Sequence, residues 1–165
     1  MPDKIKFSAG DYVVYPTHGV GKLVSIETQE ISGHKLEVFV IHFERDRMTL
    51  RLPVAKAKAA GLRNISPSKE MTQAVNHLKT KGRIKRTMWS RRAQEYEAKI
   101  NSGNPLNLAE VVRELHRTAS QPEQSYSERQ VYMSALNRLV SELAAVEKIE
   151  FDKAVEKVEK ILDAA

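Results

Sequence analysis

The spacing of apolar residues changes once along this chain, and that change limits the folds open to it. As far as about Ile65 the apolar positions come in short β-rich runs punctuated by turn residues; after Ser66-Pro67 they recur every three or four residues to the C-terminus. A chain of 165 residues then divides near residue 66 into two small lobes, leaving no room for most barrel or dinucleotide-fold enzymes. The expected class is α+β: a small Tudor-like or SH3-like antiparallel β-barrel over residues 1–66, then an all-helical domain of about five helices over 67–165.

Turn chemistry sets out the first lobe. Asp11-Tyr12-Val13-Val14-Tyr15 is stopped by Pro16, and Gly19 and Gly21 bracket a turn into a long second strand. Ser32-Gly33 supplies a hairpin turn between Ile31 and His34. Leu36–Phe43 and Met48–Leu52 read as further strands, and Pro53–Gly61 as one helical turn before a last strand near Leu62–Ile65. In the second lobe Ser66-Pro67 reads as a cap followed by proline at the first helical position. Met71, Val75 and Leu78 make one apolar face, and Trp89, Ala93, Tyr96 and Ile100 another that Gly103 and Pro105 end. Leu108, Val111, Val112 and Leu115 make a third. Tyr132, Leu136, Leu139, Leu143 and Val146 line a long helix, and Phe151, Val155, Val158 and Leu162 the last one. Asn107 with Glu110, and Ser125 with Glu128, have the reciprocal spacing of a capping box at a helix start.

Catalytic chemistry has little to work with. Cysteine is absent, which removes disulfides, thiolate nucleophiles and cysteine-based metal sites. His18, His34, His42, His77 and His116 are scattered, with no pair at the i, i+4 spacing that presents two imidazoles on one helix face. No metal or cofactor is therefore expected. Gly19-Val20-Gly21 lacks the third glycine and following helix of a phosphate cradle and reads as a β-turn. No apolar run approaches eighteen residues, and Met1-Pro2-Asp3-Lys4 leads into polar sequence, so neither a membrane span nor a signal peptide is expected and a cytoplasmic location is.

Charge is where the chain is most informative. The net charge is +6 and the pI near 9.5, and the excess lies in the middle: residues 67–118 carry eleven basic side chains against five acidic. Within it Lys79, Lys81, Arg83, Lys85, Arg86, Arg91 and Arg92 follow one another without a carboxylate. Most charge runs are only solvated surface, but such surfaces usually mix signs, and a run of one sign is easier to tolerate beside a polyanion. If Thr87 caps the helix, Arg91 and Arg92 fall in or near its first turn, where the dipole disfavours cations by roughly 0.3–1 kcal/mol each. A docked phosphate would reverse that penalty by using the free N–H groups and the guanidinium groups together. Trp89, the single tryptophan, has two readings: a core residue in register with Tyr96 and Ile100, or an aromatic on a basic rim beside Met88 that stacks on or wedges beside a base.

The string Gly10-Asp11-Tyr12-Val13-Val14-Tyr15-Pro16-Thr17-His18-Gly19-Val20-Gly21, with Ile26-Glu27 and Leu50-Arg51-Leu52-Pro53, resembles the RNA-polymerase-interaction module of the CarD family. Trp89-Ser90-Arg91-Arg92, Ala109–Leu115 and Ser141-Glu142-Leu143-Ala144 resemble the helical domain of the same CarD/CdnL-type proteins, so the likeness covers nearly the whole chain. Transcription-repair coupling factors share the first module but carry a translocase motor, for which this chain has no room.

The resemblance implies a bacterial, non-enzymatic transcription regulator, monomeric and associated with the nucleoid through the polymerase. Its first lobe would touch the polymerase β subunit by pairing along a sheet edge, at Gln29, Glu30 and Ile31 with Met48 and Arg51 nearby. Gln29 departs from relatives that carry arginine there. Its second lobe would hold promoter double-stranded DNA, with little regard for sequence, through Lys85, Arg86, Met88, Trp89, Arg91 and Arg92. Trp89 would be a wedge at the upstream edge of the bubble, stabilising the open complex. The competing reading is a protein-interaction adaptor whose basic stretch only solubilises.

Overall fold

The computed structural model describes residues 7–80, 88–116 and 124–164. These fall into two compact units, Met1–Ile65 and Ser66–Ala165.

The first unit is a five-stranded antiparallel sheet of Tudor-like type. Its strands are β1 (Tyr12–Tyr15), β2 (Gly19–Ile31), β3 (His34–Phe43), β4 (Met48–Pro53) and β5 (Arg63–Asn64), with helical turn α1 (Val54–Ala57) between the last two. The spatial order is β4-β3-β2-β1-β5. The β2–β3 hairpin closes at Ser32-Gly33, as expected, and both residues take positive φ (52° and 81°), the conformation whose twist matches paired strands.

The glycines after Pro16 work differently from the sequence reading. Pro16, Thr17 and His18 make the turn, and Gly19 to Gly21 already pair with Tyr15 to Val13. Gly21 is required by packing: a Cβ there would sit 2.7 Å from Ile41 Cγ2 and 2.8 Å from the Phe43 ring. That close approach lets Val13, Leu23, Phe39, Ile41, Phe43 and Leu52 form the core under the sheet, which Ala57 and Leu62 complete.

The second unit packs α2 (Ser68–His77), α3 (Trp89–Ser102), α4 (Pro105–Leu115), α5 (Tyr126–Glu147) and α6 (Phe151–Ala164) around one core. The expected apolar faces supply that core almost residue for residue, with Trp89, Val146, Phe151 and Val155 at its margin. Two helix starts differ from expectation. Helix α4 begins at Pro105, with Asn104 capping through a bond from the Leu106 N–H (2.9 Å), so Asn107 lies inside the helix and Pro105 opens it rather than ending α3. Helix α2 begins at Ser68, with Pro67 and not Ser66 at the N-cap position. Ser66 is instead buried and donates its N–H to Glu142 Oε2 (2.7 Å), a carboxylate buried in α5. Ser125 does cap α5, accepting from the Glu128 N–H. Among the described residues no helix is long and apolar enough to cross a membrane.

Candidate functional site

On the sheet, the candidate surface starts where β2 loses a neighbour. The β1 side of β2 is bonded as far as Leu23, whose N–H meets the Asp11 carbonyl at 2.8 Å. The β2–β3 register then shifts between Leu23 and Ser25, a bulge that leaves Val24 exposed. Beyond it β2 pairs only with β3, and the opposite edge from Ser25 to Ile31 meets no strand among the described residues. Val24, Ile26 and Ile31 are large apolar side chains exposed along that stretch. Unpaired backbone groups beside exposed apolar residues are what strand addition uses.

Register then sorts the five sequence-predicted residues. Gln29 and Ile31 share a face with Glu27 and, across Val38 and Val40, with Arg51, whose Nε lies 3.9 Å from Glu27 Oε2. Glu30 projects to the other face. Met48 pairs with Phe43 while Ile31 pairs with His34, nine residues away on the same strand, which is ~30 Å at strand rise. Met48 also packs against the sheet's core. Gln29, Ile31 and Arg51 thus point to one face, with Arg51 opposite Val40, ~20 Å along β3 from the level of Ile31, and Met48 is farther still and on the other face.

On the helical unit, the candidate surface is the start of α3. Met88, just before the helix, is 76% exposed. Trp89 is its first residue and is half-buried: one side meets the core, with its ring centroid 6.1 Å from that of Tyr96 at 47°. The Arg92 guanidinium lies over the indole, 5.2 Å from its centroid. The first turn holds no acidic residue, and among the described residues no side chain caps it. Arg91 and Arg92 donate their N–H groups to the Met88 carbonyl, so the donors of Trp89 and Ser90 are the ones the helix itself does not satisfy. Arg91 is exposed and Arg92 half-buried. Thr87, Lys85, Arg86, Arg83 and Lys81 lie outside the described residues.

Behind Trp89 is a polar group that periodicity did not reveal. Tyr96 is 2% exposed, and its hydroxyl is hydrogen-bonded by the side chains of Glu114 on α4 and Arg92 on α3. Burial, then the Glu114 bond and charge, push the phenol up to about 12, with Arg92 opposing. Lys99 and Glu110 pair at 2.9 Å between the same two helices, and Arg138 of α5 donates to the last-turn Ile100 carbonyl. Trp89, Arg92 and Tyr96 are spaced i, i+3, i+7, so their shared face was legible; Glu114 joins them only through packing. No cluster of three potential metal ligands occurs among the described residues.

Two family models match this sequence: the CarD-like/TRCF RID domain over residues 7–66, and the CarD C-terminal domain over residues 73–159. The YdeB protein of Bacillus subtilis (strain 168) is 30% identical over 144 residues, covering 87% of this chain and 94% of that protein. The solution structure of the 72-residue N-terminal domain of Myxococcus xanthus CarD is 33% identical, with a TM-score of 0.32, covering 39% of this chain and 89% of that one.

Proposed function

The chain belongs to the CarD family of transcription factors, which are not enzymes, and from that premise we propose that it binds RNA polymerase through its sheet and promoter DNA through the start of α3. The observation carrying the DNA half is the make-up of that helix start. An exposed methionine, a half-buried tryptophan, an exposed Arg91 and first-turn N–H groups that the helix itself does not use come together with no carboxylate in the turn. The polymerase half rests on the free edge of β2 and the Gln29–Ile31–Arg51 face, which suit backbone pairing with the β subunit bordered by a charge.

The mechanism follows from affinities. A few cations on phosphates bind DNA weakly at cellular salt and without sequence preference. Tethering by the polymerase raises the local concentration of the helical unit at the upstream edge of the bubble and turns weak affinity into occupancy. The indole and Met88 then contribute only where base steps are unstacked, so they favour open over closed DNA. Acting this way, the protein is a cytoplasmic, nucleoid-associated monomer.

The test is the lifetime of the promoter open complex with full-length protein. Trp89→Ala shortens it while polymerase binding persists, and Arg91→Ala lowers the salt slope of DNA binding by about one. A wild-type lifetime for Trp89→Ala removes the wedge. A salt slope that Arg91→Ala leaves unchanged favours the adaptor reading.

A further inference from the structure

The proposed wedge is held from behind. We propose that Tyr96, tied to Glu114, positions Trp89 through Arg92, so that Glu114–Tyr96–Arg92 is a relay fixing the direction of the indole; this rests on the wedge reading of Trp89.

Three observations converge. Arg92 is shared between two partners: its guanidinium covers one face of the indole at 5.2 Å and also reaches the Tyr96 hydroxyl. Tyr96 cannot turn away, because its ring is buried against the indole and its hydroxyl is bonded to Glu114 on the neighbouring helix. The segment being held needs holding: Trp89 is the first residue of its helix, among the described residues no side chain caps it, and Met88 before it is exposed. A helix end frays unless tertiary contacts fix it. A wedge that must meet an unstacked step in one orientation loses effect if its rotamer is free.

The relay gives Arg92 a role different from Arg91. Both sit in the first turn and both are cations, but only Arg92 needs a planar, multidentate group, because it must lie flat on an indole while donating sideways to a phenol. Lysine at position 92 keeps the charge available to a phosphate and loses the relay. Lysine at position 91 loses nothing.

Because Trp89 is the only tryptophan, its emission on excitation at 295 nm reports its surroundings in the full chain. Tyr96→Phe keeps the ring and removes the hydroxyl; Arg92→Lys keeps the charge. Both are expected to alter the wavelength or quenching of Trp89 emission and to shorten the open-complex lifetime by about three- to tenfold, the scale of one ordinary hydrogen bond; Arg92→Lys leaves the melting midpoint near wild type, while Tyr96→Phe lowers it because Glu114 loses a partner. Arg91→Lys is expected to change neither emission nor lifetime. Emission unchanged in both relay variants overturns the relay whatever the lifetimes. A changed emission with a wild-type lifetime, while Trp89→Ala shortens it, overturns the relay as a positioning device. If Trp89→Ala itself leaves the lifetime at wild type, the wedge reading has failed, and emission alone then decides whether Tyr96 and Arg92 fix the indole. Should Tyr96→Phe fail to fold, Arg92→Lys, at a half-exposed position, carries the same test.

Discussion

The two units present their candidate binding residues by opposite means. The sheet offers a backbone edge and side chains that alternate into solvent, and its one described ion pair near the site, Arg51 with Glu27, is about half exposed on both partners. The helical unit offers a helix start whose residues are tied inward, through Tyr96 and Glu114, to a core that also buries Glu142 against the Ser66 N–H. A surface made from an edge can be altered with little consequence for folding, because solvent screens its charges. A surface made from buried polar partners cannot, since each partner removed leaves another unsatisfied in low dielectric.

Alkaline titration should break the two units apart most strongly. Tyr96 and Tyr132 in the helical unit are both pushed up to about 12, each chiefly by burial, with nearby carboxylates adding to it. Their folded values exceed the ordinary value near 10. The stability they contribute is therefore intact below about pH 10 and is lost as pH rises towards 12, on the order of 5 kcal/mol for the pair. Circular dichroism with phenolate absorbance should show helix loss accompanying the last tyrosines to ionise; ionisation of all five near pH 10 would contradict the buried arrangement.

Glu142→Ala comes next. It leaves the buried Ser66 N–H without its acceptor and opens a cavity beside the start of α2, which should cost about 2–4 kcal/mol in urea or thermal unfolding. A melting midpoint within a degree of wild type would show that the carboxylate is not a fold determinant.

Trp89→Ala sharpens the comparison at the site itself. A fully buried tryptophan would cost roughly 3–5 kcal/mol, but this indole is only partly buried against the core, so about 1–2 kcal/mol is expected. The folded variant should then be usable in the lifetime measurement.

Arg51→Glu is expected to have the smallest effect on the fold. The substitution sets a carboxylate against Glu27 at an exposed position and should cost below about 1 kcal/mol. Titration against the polymerase β subunit should nevertheless show weaker binding, since reversing a charge at an interface rim costs complementarity. Equal affinity would remove Arg51 from the polymerase surface.

The sequence by itself determined the architecture. Switching apolar period from strand-like to helical near Ser66 assigned each half its class, and Ser32-Gly33 and Ser125 placed a hairpin and a helix start, because turns and caps are local chemistry. Where two local signals competed it went astray: Asn107 with Glu110 imitated a cap, while Asn104 followed by Pro105 made one. Gly21 read as a turn residue because its reason is non-local, the Ile41 and Phe43 side chains one strand away. Met48 joined Gln29–Ile31 in the sequence-based set and lies at the other end of β3, because which strand ends meet is settled by register. The basic run and its tryptophan were visible in order. What holds that tryptophan was not, because Glu114 reaches Tyr96 only when α4 packs on α3, and a half-buried carboxylate has no periodicity to betray it. Local propensities fix elements; only their packing decides which polar groups lose water together and must therefore satisfy one another.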